Sequence, residues 1–307
     1  MQEFKQNLGG SILLSVLPLL LRSHQDPSAG AHALAPAQKF CVHRDLNYFP
    51  GSSSSAHKLD LYVPSDADEP VPVIVWIHGG SWTSGDKSEC PASYYMPRGF
   101  AVASINYRLC QESIFPAQLY DCKQAIVWLR QHASDYNLAD RIGVWGVSAG
   151  AHLSAMLGTT NHLPKFEPES LRDSGGAISS AVQAVCSWCG PSDLRTISQQ
   201  MPVEQKLYWD QYPHLSPVWA LLGGDLSEFS LSNASPISYV SKKAPPFLLV
   251  HGERDDVVPL AQSENFYKKL KASKVDASLF VASGEGHVMT HPDCIVKTLA
   301  FFHKWLA

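Results

Sequence analysis

Ser148 stands at the centre of a G-x-S-x-G pattern running from Gly146 to Gly150, where a serine hydroxyl can act as a nucleophile. A free hydroxyl attacks poorly at neutral pH, so this chemistry needs a general base and an acid to orient it. Two C-terminal loops offer them. His287 closes the glycine-flanked run Ser283 to His287, and Asp255 and Asp256 both follow the apolar run Phe247 to His251. Either aspartate lies where such an acid belongs, and the residues alone leave the choice between them open. His291 is less suitable as the base because Pro292 begins a final helical pattern. A third requirement is a set of N–H donors for the charge that develops on a carbonyl oxygen. The apolar run Val73 to Ile77 ends in His78, Gly79, Gly80, Ser81 and Trp82, and two glycines there let the chain turn its amides towards an open site. The backbone N–H groups of Gly80 and Ser81 are the expected donors, joined by that of Ala149, while His78 is expected to brace the loop. Trp82 and Trp188 are assigned to substrate binding.

These residues need elements to hold them. Ile142 to Trp145 is short, apolar and partly β-branched, like a buried strand, whereas Ala149 to Leu157 is rich in Ala and Leu, like a helix. The turn between them lifts Ser148 clear of the sheet, and Gly146, Ala149 and Gly150 are small enough to permit it. Upstream, Leu46 to Tyr48 and Lys58 to Val63 read as strands of a meander. Val73 to Ile77 and Phe100 to Arg108 read as strands buried on both faces of a parallel sheet. A short helix is expected over Cys90 to Pro97 and a long one from Pro116 to about Tyr136, with Arg108 and Asp121 paired structurally across this crossover. Further strands are expected at Ala181 to Cys186, Pro245 to His251 and Ala277 to Val281, with helices at Ala261 to Ala272 and Cys294 to Leu306. Asn161 to Gly176 reads as a polar loop. Leu194 to Ser232 carries Tyr208, Trp209, Tyr212 and Trp219 without clear periodicity, and reads as a small cap shaping the pocket.

Composition narrows the class. The chain has 307 residues and is 45% hydrophobic, enough for one large core. Lys plus Arg number 24 against 28 Asp plus Glu, with no long basic run, which argues against nucleic acid as a partner. The seven cysteines are too few for a disulfide scaffold in a chain this long, and Cys186 and Cys189 read as strand-end thiols or one disulfide rather than as a metal pair. The apolar run Ser11 to Leu21 is too short to span a bilayer comfortably but suits the core of a signal peptide. It points to a secreted or periplasmic protein. An N-terminal helix packed on a cytoplasmic domain is the other reading. Residues 1–38 are expected to lie outside a catalytic domain at 39–307, with the cap-like insertion at about 194–232.

Taken in order, the His78–Trp82, Gly146–Leu153, Gly190–Asp193, His251–Pro259 and Gly284–His287 motifs resemble those of the α/β-hydrolases. More narrowly, the chain resembles the serine carboxylesterases related to hormone-sensitive lipase, and within them the bacterial feruloyl and acetyl-xylan esterase-like (BD-FAE) proteins. The likeness covers about residues 42–306. It implies an α/β-hydrolase fold, a mostly parallel sheet flanked by helices, and a Ser148, Asp255 and His287 triad. Asp255 is the first aspartate of the H-G-x-x-D-x-x-V-P pattern in such enzymes. Ser81 departs from the third glycine of lipase-like members, which leaves the backbone donor intact but weakens the kinship with lipases. The implied activity is hydrolysis of small or aryl- or sugar-linked carboxylic esters through an acyl-enzyme, with a small-molecule ester as substrate and no metal or organic cofactor. An arylformamidase-like amidase is the second reading, since kynurenine formamidases resemble the chain in H-G-G-x-W and S-A-G-A-H-L. A non-catalytic hydrolase-fold binding protein is the third, and the intact Ser, Asp and His set argues against it.

Overall fold

The computed structural model describes residues 39–91, 99–168 and 178–307. The N-terminal segment at 1–38, most of the expected helix at Cys90 to Pro97 and the end of the loop before Gly176 lie outside these residues. Eight strands form one sheet: β1 (Phe40–Asn47), β2 (Lys58–Pro64), β3 (Val71–Ile77), β4 (Ala101–Ile105), β5 (Leu138–Val147), β6 (Ala184–Trp188), β7 (Phe247–Gly252) and β8 (Ala277–Ala282). Their order across the sheet is β1-β2-β4-β3-β5-β6-β7-β8. The pairs β1/β2 and β2/β4 are antiparallel, and every pair from β4/β3 to β7/β8 is parallel.

The continuous apolar runs form central strands because both sheet faces are covered. Along β3, Val73, Val75 and Ile77 enter one core layer while Ile74 and Trp76 enter the other, as the two-residue period of a strand requires. Helices α1 (Ala117–Gln131) and α2 (Ala149–Thr160) contribute Leu119, Ile126, Leu153 and Met156 to the first layer. Three short helices, α3 (Val203–Gln211), α4 (Pro217–Leu221) and α5 (Glu228–Asn233), lie in the stretch expected to form a cap. Helix α6 (Leu260–Ala272) joins the first layer through Phe266 and Leu270, and α7 (Pro292–Leu306) covers the second with Phe301, Phe302 and Leu306.

Helix α1 stops at Gln131, about five residues before the sequence pattern suggests. A short 3₁₀ turn at Ser134–Tyr136 follows, and Asn137 then takes a left-handed conformation, φ 52°, that redirects the chain into β5. The expected pairing of Arg108 with Asp121 is present and bidentate: Nε and Nη2 of Arg108 reach the carboxylate at 2.8 and 2.7 Å, and the Arg108 backbone N–H adds a bond at 2.9 Å. Asp121 is fully buried, so this pair ties the end of β4 to the first turns of α1. Cys186 and Cys189 are both free, buried thiols.

Candidate active site

The parallel strands β3, β5, β6, β7 and β8 end on the same edge of the sheet, and the loops that leave them carry the residues that could do chemistry. Ser148 bridges β5 and α2 with φ 55° and ψ −119°, a region that L-residues rarely occupy. Its neighbours explain how the strain is tolerated. A Cβ on Gly146 would lie 2.2 Å from the Gly150 carbonyl oxygen, and one on Gly150 would lie 2.0 Å from that of Ile77. The turn closes only because both are glycine. The Ser148 N–H donates to the Trp188 carbonyl at 2.9 Å, anchoring the turn to β6.

The Ser148 hydroxyl faces Nε2 of His287 at 3.0 Å, and Nδ1 of His287 faces Oδ2 of Asp255 at 2.8 Å. The structure thus brings together the three residues picked out for nucleophile, base and acid. It also separates the competitors. Asp256 is exposed, whereas the Asp255 carboxylate is completely shielded from solvent. His291 caps α7, its ring accepting the N–H of Asp293.

Asp255 is supported on both oxygens. Oδ1 accepts the backbone N–H groups of Val257 and Val258 at 2.9 and 2.8 Å, while Oδ2 faces His287 and also Nε2 of His251 at 3.2 Å. Burial alone would raise the pKa of this carboxyl, but the bonds from His251 and His287 outweigh it and hold the group well below the usual carboxylate range. His251 is fully buried; its Nε2 faces both Asp255 and the Val258 carbonyl at 2.8 Å, and its Nδ1 meets the Ser263 hydroxyl at 2.7 Å. Nε2 faces only acceptors, so that nitrogen carries a hydrogen. Sequence reasoning used His251 only as part of a motif. Its position four residues before the acid, across a tight turn, is the signal that could have marked it.

For His287, burial penalises the charged ring, but Cys189 and Asp255 more than offset this and raise its pKa to about 11. The loop that carries it is braced from β7. Glu253 accepts the Ser283 hydroxyl and the Gly284 N–H at 2.9 and 2.8 Å, and Arg254 donates its N–H to the Glu285 carbonyl at 2.8 Å. A Cβ on Gly252 would strike the Gly286 carbonyl at 2.1 Å, which shows how closely the two loops run.

The β3 loop crosses directly beside the nucleophile. A Cβ on Gly79 would lie 3.4 Å from that of Ser148. Gly80, Ser81 and Trp82 all have positive φ, at 99°, 55° and 58°. The Gly80 carbonyl is occupied by Thr83 and Ser84, yet among the described residues neither Gly80 nor Ser81 donates its N–H to another group. Ala149 is the first residue of α2, so its N–H also has no partner within the helix. His78 is buried, holds the Gly79 carbonyl with Nδ1 at 2.8 Å and stacks on Tyr107, with ring centroids 4.3 Å apart. Burial lowers its pKa to about 4, so it braces this loop as a neutral ring.

The two tryptophans assigned to substrate separate. Trp82 packs edge-on against His152, one turn beyond Ser148, with ring centroids 5.1 Å apart, and is 3% exposed. Trp188 is different. Its indole N–H donates to Thr298 of α7 at 3.0 Å, its ring packs against Trp145 in the core layer under α7, and its contribution to the turn is a backbone carbonyl. The placement of Trp188 against substrate is therefore corrected. Strand parity explains it: Ala184, Cys186 and Trp188 share one face of β6, opposite Val185. His152 went unread as a structural link; its Nε2 reaches the Ala234 carbonyl at 2.7 Å, joining α2 to the residue after α5.

Residues 59–270 match the BD-FAE family model. The chain belongs to the BD-FAE family. Among curated relatives, it is 32% identical to esterase LipQ and 30% identical to esterase LipC, both of Mycobacterium tuberculosis, over 78% and 76% of its length. The chain spans about half the length of the curated relatives it matches, 55% and 57% for these two. Among solved structures, it is similar to a truncated carbohydrate esterase from gut microbiota, with 27% identity, a TM-score of 0.74, and coverage of 88% of this chain and 98% of that one. A bifunctional GH43-CE protein of Bacteroides eggerthii gives 31% identity and a TM-score of 0.73, covering 86% of this chain and 38% of that one. Across the BD-FAE chain, no helix of the described residues is long and apolar enough to cross a membrane.

Proposed function

We propose that this protein is a serine hydrolase of carboxylic esters. The observation that carries the reading is the continuous chain from the Ser148 hydroxyl through both nitrogens of His287 to Asp255, set beside the loop of Gly80 and Ser81, whose N–H groups have no acceptor among the described residues. In the reaction, Ser148 Oγ attacks the ester carbonyl while its proton passes to Nε2 of His287. Asp255 holds the tautomer that leaves Nε2 free and stabilises the imidazolium that forms. The carbonyl oxygen, now an oxyanion, lies against the N–H groups of Gly80, Ser81 and Ala149, and loss of one such donor typically costs about 3 kcal/mol of transition-state stabilisation. The tetrahedral adduct then collapses. His287 gives its proton to the departing alcohol, an acyl-Ser148 ester remains, and water repeats the cycle to release the acid.

The substrates we favour are short acyl esters of sugars or aromatic acids and alcohols. The likeness to a carbohydrate esterase over most of both chains supports this. The deciding experiment compares p-nitrophenyl acetate and butyrate hydrolysis by the wild type and Ser148→Ala. Turnover by the wild type, with loss of about six orders of magnitude in kcat or a fall to background in the variant, is the expected outcome. A folded wild type inactive on both esters defeats the reading. An acetylated xylan and a methyl ferulate then resolve the substrate class.

A further inference from the structure

We propose that Cys189, Asp255 and His287 form a site for a soft divalent cation, zinc above all, and that its occupancy switches the hydrolytic centre off. Cation binding rests on the geometry below; inhibition rests also on the hydrolase reading. One ligand atom from each of the three residues lies within 4.8 Å of the others, and no other such group of three occurs among the described residues. The residues leave the carboxyl ends of β6, β7 and β8, which are adjacent in the sheet, so the convergence comes from the fold itself.

Asp255 and His287 already have work in the proposed reaction. Cys189 has none. Its thiol is nevertheless completely buried against that pair, with Sγ 3.6 Å from the His287 carbonyl oxygen. The residue adopts a left-handed conformation, φ 46°, and its N–H is tied to the Val250 carbonyl at 2.8 Å. The side chain is therefore held where it is by backbone on both sides.

Thiolate, imidazole and carboxylate are the donor types zinc takes, at about 2.3 Å for sulfur and about 2.0–2.2 Å for nitrogen and oxygen. A tetrahedral centre with those bonds sets its ligand atoms roughly 3.3–3.7 Å apart. The present separations reach that by small side-chain shifts, and a fourth position is left for water. The acid is pre-oriented as a ligand, since Val257, Val258 and His251 hold its carboxylate. Binding on Nε2 of His287 would occupy the lone pair that must take the Ser148 proton. Binding on Nδ1 would replace the proton held by Asp255. Both stop the general base.

The test uses Cys41→Ser protein, which removes the exposed thiol, and compares it with the same protein carrying Cys189→Ser or Ser148→Ala. Cobalt(II) is titrated as a spectroscopic probe and zinc as the inhibitor. The expected result is a thiolate-to-cobalt charge-transfer band in the parent and in Ser148→Ala, its absence in Cys189→Ser, and zinc inhibition of the parent reversed by EDTA. Inhibition of Cys189→Ser is read against its own zinc-free rate, and half inhibition should need at least about tenfold more zinc than in the parent. Cys189→Ala repeats the comparison if the serine variant does not fold. A cobalt band that survives loss of Cys189, or a parent with no band, overturns the site. Equal zinc sensitivity with and without the thiol overturns the inhibition. A Cys189-dependent band in a protein that hydrolyses no ester leaves the cation site standing and removes the hydrolase reading.

Discussion

Asp255 and Asp256 are neighbours in sequence with opposite fates: one carboxylate is buried among four donors and the other faces solvent. Asp255→Asn keeps the shape but loses the charge that stabilises an imidazolium, and should lower kcat by about 10⁴ while the protein stays folded. Asp256→Asn should leave kcat within about twofold, because an exposed charge outside hydrogen-bond reach adds little. Parallel ester assays of the two variants check both. The raised pKa of His287 sets the pH response. Only the neutral ring can accept the Ser148 proton, so kcat/KM should rise with pH and its acid limb should lie above the ordinary imidazole value of about 6.5. A pH–rate profile with its limb below 6 would contradict this.

At the level of elements, the turn between β5 and α2 depends on space. Gly150→Ala drives a Cβ to within 2.0 Å of the Ile77 carbonyl, which is backbone in a central strand and cannot swing aside. The variant should lose about 3 kcal/mol or more of stability, or fail to accumulate in soluble form, as urea unfolding or expression yield would show. The β4–α1 crossover depends on charge instead. Arg108→Ala leaves Asp121 buried without its bidentate partner, with a cost of about 3 kcal/mol, near the low end for broken buried pairs because the arginine side chain is itself part solvated. The pairing of Arg108 with Asp121 was legible because both flank one crossover. The end of α1 was not, since the hydrophobic pattern continues past Gln131 to Ala133, whereas the α-helix ends at Gln131 and Ser134–Tyr136 form a separate 3₁₀ turn.

For the molecule as a whole, stability and activity should move oppositely above neutrality. Asp255 has a depressed pKa in the folded state, so its contribution is present above about pH 4, the unfolded value, and is lost as pH falls towards the folded one. His287 has a raised pKa, so its contribution is full below about pH 6.5 and is lost as pH rises through the folded value. Thermal melts at pH 3, 5.5 and 9 should give the highest Tm at 5.5, whereas turnover at pH 9 should exceed that at 5.5. In His287→Gln the alkaline fall in Tm should be smaller than in the wild type.

The sequence by itself determined whatever is local: the strand-turn-helix around Ser148, the glycine loop after β3, the buried character of the central strands, and the order in which nucleophile, acid and base appear. Those features follow from steric demands and from hydrophobic period, both of which act over a few residues. The tertiary structure alone decided which groups meet. Ser148 and His287 are 139 positions apart, and Asp255 and His287 are 32 apart, so their contact depends on how adjacent strands end on one edge of the sheet. The same convergence brought Cys189 beside the base, while the parity of β6 turned the Trp188 ring into the core under α7. A side chain's face is fixed by its strand's register and its neighbours' packing, and those are properties of the assembled sheet.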